Sequence, residues 1–362
     1  MRKIFLVAGE LSGDKLGAWY VNRLRKQGAE AKFCAIGGSF LEAAGVELHD
    51  RFEKLNVAGL IEIIKHLRFL LSFLNNLAKH ITSQGYDEVI AIDFPGFNLR
   101  LIKKLKKLNP EIKITYLSPP QLWIWGSWRI KKLKNFCDDI VVLYPFEVEW
   151  YEKRGVTARW LGYPFYDTFR PYFDIRNGRK NIAVMPGSRI MEIERLLPLF
   201  IRVIKRFKLL YPSVKVVLPL AESIDINKVE KILRKSGTGR WGQDIKIVQG
   251  EEEKLKALSS CCLALTKPGT VTLELALLSI PAVVAYKASW VTYFVAKALV
   301  NIECMALSNL LLGEKVYPEF IQGDCKEDKI FRELEGLYKS VVSGEEMVMK
   351  EKLRGLRESL SG

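Results

Sequence analysis

Residues 264–276 read Ala-Leu-Thr-Lys-Pro-Gly-Thr-Val-Thr-Leu-Glu-Leu-Ala. The apolar run 261–266 predicts a buried strand, Pro268-Gly269 predicts a turn, and a helix is predicted to begin at Thr270. Glycine lets the backbone approach a ligand closely, and the free N–H groups of a helix start attract an anion. The Glu274 carboxylate can accept hydrogen bonds from sugar hydroxyls. The stretch predicts either a pyrophosphate and ribose site or a plain strand–turn–helix with Thr270 as its N-cap.

The same alternation of apolar runs and helical periodicity continues on both sides of this stretch. Short runs rich in Ile and Val, separated mostly by helix-like segments, are typical of a parallel, doubly wound sheet. Residues 162–180 interrupt the pattern with proline, glycine and scattered charge, which indicates an interdomain linker. The predicted strands are 3–8, 32–36, 88–92, 113–117 and 140–143 before the linker, and 182–185, 214–218, 245–248, 262–266 and 282–286 after it.

The chain is therefore predicted to contain two similar α/β domains in series. Its 362 residues are too many for one ordinary hydrophobic core. The predicted domains are an N-terminal domain, residues 1–170, and a second domain, residues 171–340. The polar tail 341–362 predicts a C-terminal helix that packs back across the hinge.

Composition narrows the class of partner and the compartment. The chain is 49% hydrophobic and 27% charged, as globular proteins are, and its net charge of +15 favours nucleic acid, phosphorylated small molecules or an anionic membrane. Its six cysteines form no C-x-x-C pair, which indicates reduced thiols in the cytosol, and its three histidines lack zinc-site spacing. The apolar start ends at Ala8, before Glu10, and predicts a strand instead of a signal peptide. No run of about 18 uncharged apolar residues predicts a membrane-spanning helix.

Two loops of the first half are candidate sites, because ligands of open α/β sheets bind beyond the carboxyl ends of the strands. The first predicted strand leads into Gly9-Glu10-Leu11-Ser12-Gly13-Asp14. The two carboxylates would repel a phosphate, so a substrate that offers hydroxyl groups fits this loop better. The alternative is a glycine turn with Ser12 or Asp14 as a helix cap. Asp93 follows the apolar run 89–92, where burial can raise its pKa towards that of a general base. The alternative is that Asp93 only hydrogen-bonds the next turn.

Two more loops carry candidate ligand contacts. Residues 118–125, Ser-Pro-Pro-Gln-Leu-Trp-Ile-Trp, predict an apolar wall, although core packing is the commoner fate of tryptophan. In the second half, Gly187-Ser188-Arg189 follows a predicted strand, and the Arg189 guanidinium can donate two parallel hydrogen bonds to a phosphate. The structural alternative is a capping box between Ser188 and Glu192.

A predicted helix over residues 55–81 has an unusually wide apolar arc. One face, with Leu74, Ala78 and Ile81 among its members, is expected in the core. Phe69, Leu70 and Phe73 widen the arc beyond that face, and basic residues lie among them. This pattern suits the surface of an anionic membrane. A helix buried on both sides and a dimer contact are the alternatives.

With these segments in order, the chain resembles the lipid-A-disaccharide synthase family over nearly its whole length. Each matching piece is short, and the specificity lies in the order and spacing of the pieces. The pieces are Ala8-Gly9-Glu10-x-Ser12-Gly13-Asp14, Gly37-Gly38, Asp93-x-Pro95-x-Phe97-Asn98, Ser118-Pro119 with Trp123-x-Trp125, Pro145-Phe146-Glu147, Pro186-Gly187-Ser188-Arg189 with Glu192, Gly269-Thr270-x-Thr272-Leu273-Glu274, Tyr286-Lys287, Ser308-Asn309 and Pro318-Glu319-x-Ile321-Gln322.

The resemblance implies a GT-B glycosyltransferase, with two Rossmann-like domains and a cleft between them. It implies inverting transfer of 2,3-diacylglucosamine from UDP-2,3-diacylglucosamine to lipid X (2,3-diacylglucosamine 1-phosphate) in lipid A biosynthesis. The products would be the lipid A disaccharide 1-phosphate and UDP. It implies no cofactor and no metal. It also implies an enzyme of the cytoplasm that is peripheral at the inner membrane. It leaves open whether the enzyme forms a homodimer.

The resemblance also distributes roles over the motif residues. Asp93 would take the proton of the acceptor 6-hydroxyl, Arg189 and the helix start after Gly269 would neutralise the leaving UDP, and Glu274 would bind the ribose. The candidate catalytic residues are Asp93, Glu10 and Asp14. The candidate UDP-binding residues are Gly187, Ser188, Arg189, Lys267, Gly269, Thr270, Thr272, Glu274 and Asn309. The candidate acceptor-binding residues are Ser12, Gly13, Asn98, Ser118 and Trp123, and the candidate membrane contacts are Phe69, Leu70 and Phe73.

Three departures from the family pattern leave acyl-chain and acceptor specificity open. Tyr163 replaces the histidine of Gly-His-Pro, residues 118–125 depart from Ser-Pro-Ser-Val-Trp-Ala-Trp, and Ser308 replaces the proline of Leu-Pro-Asn. The nearest alternatives are UDP-N-acetylglucosamine 2-epimerase and a peptidoglycan N-acetylglucosaminyltransferase. A basic nucleic-acid-binding protein would use the lysine-rich runs 103–107 and 129–134. We favour a solvated or lipid-facing role for those runs and expect no nucleic acid partner.

Overall fold

The computed structural model describes residues 1–55, 63–173, 175, 180–287 and 304–361. These residues form two compact units, one from Met1 to Pro164 and one from Phe165 to Ser361. In the described ranges, no helix is long and apolar enough to cross a bilayer.

The first unit is built on a parallel sheet of seven strands, in the order β3-β2-β1-β4-β5-β6-β7. The five strands predicted from apolar runs are all present. The structure adds β3 and β7. The prediction missed β3 because this edge strand is mostly polar, and it missed β7 because that strand has only two residues. The strands are β1 (Arg2–Ala8), β2 (Ala31–Gly37), β3 (Glu47–Arg51), β4 (Glu88–Ile92), β5 (Lys113–Leu117), β6 (Asp139–Val142) and β7 (Arg159–Trp160).

Helices cover both faces of this sheet, because alternate residues of its buried strands point to opposite faces. Phe5 and Val7 of β1 pack in one core, and Ile4 and Leu6 pack in the other. The helices are α1 (Leu11–Lys26), α2 (Ser39–Ala43), α3 (Ile63–Ser83), α4 (Pro95–Leu108), α5 (Ile130–Phe136) and α6 (Pro145–Glu152). Helix α3 confirms most of the predicted helix 55–81, and residues 56–62 of that prediction lie outside the described residues.

The second unit has a parallel sheet in the order β10-β9-β8-β11-β12-β13. Its strands are β8 (Asn181–Met185), β9 (Val216–Leu220), β10 (Ile245–Gln249), β11 (Cys261–Thr266), β12 (Ala282–Tyr286) and β13 (Glu319–Ile321). Its helices are α7 (Tyr166–Phe169), α8 (Ile190–Leu210), α9 (Ile226–Lys235), α10 (Glu251–Ser259), α11 (Thr270–Leu277), α12 (Leu307–Leu312), α13 (Glu327–Ser343) and α14 (Met347–Ser359). The C-terminal helix α14 packs against α11 and α12 of this unit.

These two sheets confirm the predicted doubly wound fold class, and their strand orders locate the candidate sites. In the first sheet the order reverses between β1 and β4, and in the second it reverses between β8 and β11. At such a switch point the two following loops leave in opposite directions and open a crevice at the carboxyl ends of the strands. The loops at Gly9 and Asp93 border the first crevice, and those at Gly187 and Gly269 border the second.

Candidate active site

Asp93 lies directly after β4 in a strained backbone conformation. Both Asp93 (φ 43°) and Phe94 (φ 44°) occupy the left-handed region, which is unusual for residues with a side chain. The Asp93 carbonyl oxygen accepts hydrogen bonds from the Asn98 side-chain amide at 2.9 Å and from the Tyr116 hydroxyl at 2.8 Å. These bonds hold the strained turn, and strain of this kind is concentrated at functional sites.

The electrostatic surroundings of Asp93 suit a general base. Burial raises its pKa, and the negative charge of Glu10 raises it further, against the opposing hydrogen bond from the Phe94 amide. The resulting pKa is about 6, compared with an ordinary value of 3.8. A carboxyl with this pKa is ionised at neutral pH and is still basic enough to accept a proton.

Gly9 allows the loops after β1 and β4 to meet. A Cβ atom at Gly9 would lie 2.2 Å from Cγ of the Phe94 ring, so a side chain there would displace Phe94. The close contact brings Glu10 next to the Asp93 turn. Glu10 and Ser12 are exposed, and the Ser12 hydroxyl donates to the Glu10 carboxylate at 2.7 Å. Both side chains are therefore available to a ligand at this edge.

Asp14, a candidate catalytic residue, has a structural role in the fold. It is fully buried, and its carboxylate accepts hydrogen bonds from the backbone N–H groups of Gly38 (2.6 Å), Phe40 (2.9 Å) and Leu41 (3.3 Å). These groups belong to the start of α2, so Asp14, which lies in α1, caps helix α2. Gly13 is also buried, and a Cβ there would lie 3.4 Å from the Ala8 side chain, so it serves the packing of α1 on β1.

Asn98, a candidate acceptor contact, also faces the protein interior. It is fully buried, and its side-chain amide donates to the backbone carbonyls of Val7, Ile92 and Asp93. Asn98 therefore ties β1 to the turn at Asp93, and its contact with the acceptor stays a prediction.

Ser118 and Trp123 lie in the loop after β5, the strand next to β4. Ser118 has φ 54° and donates its backbone N–H to the Val141 carbonyl, and its side chain is half-buried. The Trp123 indole donates to Glu147 of α6 at 3.0 Å. Glu147 was singled out in the sequence only as part of a motif, because its sequence neighbours do not reveal that it is buried.

In the second unit, the loops after β8 and β11 are joined by an ion pair. The Lys267 ammonium lies 3.0 Å from the Glu192 carboxylate, which also accepts from the backbone N–H groups of Ser188 and Arg189. Burial raises the pKa of Glu192, but Lys267 and these amides outweigh it and leave the pKa below its ordinary value. Gly187 (φ 149°) permits the tight loop, since a Cβ there would lie 2.4 Å from the same carboxylate.

The loop leaves Ser188 and Arg189 exposed at the carboxyl end of β8. The Arg189 side chain is 76% exposed, and its guanidinium is 3.5 Å from Glu192, which is a weak contact. Gly269 (φ 127°) turns the chain into α11, and Thr270 is exposed at its first position. These cationic, hydroxyl and amide groups border one switch point, where they can bind a diphosphate.

Thr272 and Asn309, both candidate UDP contacts, are fully buried and hydrogen-bonded within the protein. The Thr272 hydroxyl donates to the Gly269 carbonyl and accepts from the Leu307 N–H. The Asn309 amide donates to the Tyr317 carbonyl and the Glu319 carboxylate, and its oxygen accepts from the Tyr317 N–H. Both side chains fasten α11 and α12 in place, and their contact with UDP stays a prediction.

Glu274 is half-buried on α11 and pairs with Lys254 of α10 at 3.0 Å. Burial lowers the pKa of Lys254, and the carboxylates of Glu274 and Glu251 raise it more. In the described part of the chain, the second Glu274 oxygen has no hydrogen-bond partner, so it remains available to a sugar hydroxyl. Sequence patterns missed Lys254, because it lies 20 residues from its partner.

Comparison with known proteins identifies relatives along the whole chain. The sequence model of a family described as lipid-A-disaccharide synthetase matches residues 4–360. A lipid-A-disaccharide synthase from Geobacter sulfurreducens is 33% identical over 341 residues, which cover 92% of this chain and 86% of that protein. Lipid-A-disaccharide synthase 1 from Legionella pneumophila is 33% identical over 368 residues, which cover 99% of this chain and 93% of that protein.

Solved structures with similar folds are more distant in sequence. UDP-GlcNAc 2-epimerase from Neisseria meningitidis, bound to UDP-GlcNAc, has a TM-score of 0.64 at 11% identity and covers 97% of this chain and 94% of its own. A spinosyn rhamnosyltransferase complexed with thymidine diphosphate has a TM-score of 0.58 at 12% identity, covering 99% of this chain and 96% of its own. At these identities the similarity establishes the fold only.

Proposed function

The chain belongs to the lipid-A-disaccharide synthetase family, and on this premise we propose how its residues carry out the reaction. It transfers 2,3-diacylglucosamine from UDP-2,3-diacylglucosamine to lipid X, giving the lipid A disaccharide 1-phosphate and UDP. The family match over residues 4–360 is the observation that carries this function.

Asp93 acts as the general base of the transfer. The 6-hydroxyl of lipid X attacks the anomeric carbon of the donor sugar as the bond to UDP breaks, and Asp93 takes the hydroxyl proton. A single displacement inverts the anomeric centre and needs only one base. The support is the position of Asp93 at the switch point of the first sheet and its pKa of about 6.

The second unit stabilises the leaving UDP. The guanidinium of Arg189 and the free N–H groups at the start of α11 neutralise the negative charge that develops on the diphosphate. Lys267 adds a positive charge that its ion pair with Glu192 holds in place. Glu274 binds the ribose hydroxyls through the carboxylate oxygen that Lys254 leaves unoccupied.

An assay of UDP release tests this function against the epimerase alternative. With UDP-2,3-diacylglucosamine as donor, UDP release is expected only when lipid X is present, and the product is the β-1,6-linked disaccharide. UDP-N-acetylglucosamine is the matched control donor and is expected to give neither UDP nor a 2-epimer. Release of UDP without lipid X, or epimerisation of UDP-N-acetylglucosamine, would contradict the transfer.

The acylated substrates make a membrane surface the second expected partner. Helices α3, α4 and α5 pack side by side on the first unit and expose both apolar and basic groups. Phe69 is 45% and Trp128 is 61% exposed, and the Arg129 guanidinium lies 4.5 Å from the Trp125 ring. Exposed aromatic rings beside cations suit the headgroup region of an anionic bilayer. Lys103, Lys131, Lys132 and Lys134 are exposed on the same helices.

The three predicted membrane contacts differ in their exposure. Leu70 and Phe73 are only half-exposed and pack on the hydrophobic core, where Phe73 lies 6.3 Å from the Phe97 ring. Phe69 remains a surface candidate. Trp125 and Trp128, which the helix-based prediction did not include, are further exposed candidates next to α5.

Replacing both Phe69 and Trp128 with serine is expected to weaken binding to vesicles by about tenfold. The loss of two interfacial rings removes roughly 1–2 kcal/mol of binding free energy in total. Flotation with vesicles containing anionic phospholipid measures the bound fraction, with thermal unfolding as the check on folding. Val342→Ser, at a residue 70% exposed on α13, is the matched control. Unchanged flotation of the double variant would place the membrane contact on another surface.

A further inference from the structure

Glu147 is a buried carboxylate that the mechanism above does not use. It lies in the first turn of α6 and is 3% exposed. Its Oε2 atom accepts hydrogen bonds from the backbone N–H groups of Leu143 at 3.1 Å and Tyr144 at 3.0 Å. Capping of this kind needs only an acceptor oxygen. One carboxylate oxygen is enough for this cap, so the second oxygen can hold another group.

The second oxygen of Glu147 holds an aromatic cluster. Oε1 accepts a hydrogen bond from the Trp123 indole N–H at 3.0 Å, across 24 residues of sequence. The Trp123 ring meets the Phe146 ring edge-on at 5.1 Å, and Phe146 stacks on Tyr144 at 6.2 Å. One carboxylate therefore joins the loop after β5 to the start of α6 and holds the Trp123 ring, which contacts Phe146.

This aromatic cluster lies at the same sheet edge as the proposed base. Trp123 follows β5 and Tyr144 follows β6, and these are the next strands after β4, which carries Asp93. Burial raises the pKa of Tyr144, and the negative charges of Glu147 and Asp93 raise it further. The Asp93 N–H donates to the Leu117 carbonyl at 3.0 Å and the Ser118 N–H donates to the Val141 carbonyl at 2.9 Å, so the ends of β4, β5 and β6 lie side by side at this edge.

In the described residues no lysine, arginine or histidine forms an ion pair with Glu147. Its titratable neighbours are the buried phenols Tyr144 and Tyr151. Burial raises the pKa of Glu147 to about 7, although three hydrogen bonds to its ionised form oppose the shift. The buried carboxylate is held by the Trp123 indole N–H and by two backbone N–H groups.

We propose that Glu147 is a positioning residue for the acceptor: its ionised carboxylate orients Trp123 as the wall on which the acceptor sugar ring packs beside Asp93. Aromatic rings bind sugars through the apolar face of the pyranose, and that contact requires a fixed ring orientation. The inference rests on the glycosyltransferase function proposed above.

Glu147→Gln tests the role with little change of shape. The amide oxygen still accepts from Leu143 and Tyr144, but the amide NH₂ faces the Trp123 indole N–H, so two donors meet and the indole turns away. KM for lipid X is expected to rise about tenfold, the effect of losing one charge-assisted hydrogen bond. KM for the UDP-sugar and the unfolding midpoint at pH 8 are expected to be unchanged. Glu149→Gln, at an exposed glutamate of the same helix, is the matched control.

A double-mutant cycle with Trp123→Phe separates positioning from a local packing defect. Phenylalanine keeps a ring but removes the donor, so the two substitutions are expected to be non-additive in KM for lipid X. In the wild-type enzyme this KM is expected to rise as the pH falls through about 7, because protonation removes the charge of Glu147. The Glu147→Gln variant is expected to lose this pH dependence.

Each contrary result has a separate meaning. A wild-type KM for lipid X in Glu147→Gln, additive effects in the cycle, or a loss confined to kcat would overturn the positioning role. A wild-type enzyme that releases no UDP with lipid X would instead overturn the proposed function, and the inference with it.

Discussion

Asparagine in place of Asp93 is expected to lower kcat by roughly 10²- to 10⁴-fold, the usual contribution of a general base. The substitution keeps the size of the side chain and the backbone carbonyl that holds Asn98 and Tyr116. It removes only the group that accepts the proton of the acceptor hydroxyl. UDP affinity is expected to stay unchanged, because the candidate UDP-binding groups belong to the second unit. Steady-state UDP release and calorimetric titration with UDP measure the two quantities.

The pH profile provides the control for this prediction. Asp93 must be ionised to accept a proton, so kcat/KM is expected to fall as the pH drops below about 6, the raised pKa of Asp93. Because a raised pKa favours the protonated carboxyl in the folded protein, stability from this group is present at low pH and is lost as the pH rises through 6. Asp93→Asn is therefore expected not to lower the unfolding midpoint at pH 8.

Glu10→Gln is the matched comparison at the same edge. Removing the negative charge of Glu10 should lower the pKa of Asp93 and move the acid limb of the pH profile to lower pH. Transfer activity is expected to be retained. Turnover near the wild-type level in Asp93→Asn would remove Asp93 as the base. A large loss of kcat in Glu10→Gln with an unmoved acid limb would instead give Glu10 a direct role.

Alanine in place of Arg189 is expected to weaken UDP binding by about 10- to 100-fold, since hydrogen bonds between charged groups contribute roughly 1.5–3 kcal/mol. The guanidinium makes only a weak contact with Glu192 and is largely exposed, so its removal leaves the loop intact. The loop instead depends on Glu192, which receives Lys267 and the Ser188 amide. Titration with UDP is the direct measurement, and thermal unfolding is expected to be unchanged.

Arg202→Ala serves as the control for charge removal. Arg202 is also an exposed arginine of the second unit, but it lies on α8 beyond the loop and pairs with Glu327 of α13. Its replacement removes the same charge and is expected to leave UDP affinity within about twofold, as for a screened surface charge. Equal losses in both variants would reduce the role of Arg189 to overall charge, and an unchanged affinity in Arg189→Ala would place the diphosphate elsewhere.

The candidate site was predictable from the sequence where it depends on the ends of apolar strands. Asp93, Gly187 and Gly269 each follow such a strand, and the structure places them at the carboxyl edges of the two sheets. Residue roles inside the motifs were less predictable. Asp14 and Thr272 are polar residues of motifs that match a ligand-binding pattern, and both side chains form hydrogen bonds inside the protein.

These roles were not predictable because the hydrogen-bond partners of a polar side chain can lie far from it in the sequence. Asp14 binds backbone groups that begin 24 residues later, and Asn98 donates to a carbonyl 91 residues earlier. Neither distance leaves a periodic signal, because helix and strand periodicity reports only on neighbours within a few positions. Glu147 and Lys254 were missed for the same reason: each acquires its importance from a partner 20 or more residues away.

The amino-acid sequence by itself determined two parallel, doubly wound sheets and the loops that leave the carboxyl ends of their strands, because hydrophobic periodicity is a local property of the chain. Only the tertiary structure decided which strands lie side by side. It thereby placed Asp93 at one reversal of strand order and the stretch 264–276 at the other. It also decided which carboxylates are buried, which sets the raised pKa values of Asp93 and Glu147. Burial and strand order depend on contacts between residues far apart in the chain, and these form only when the whole unit packs.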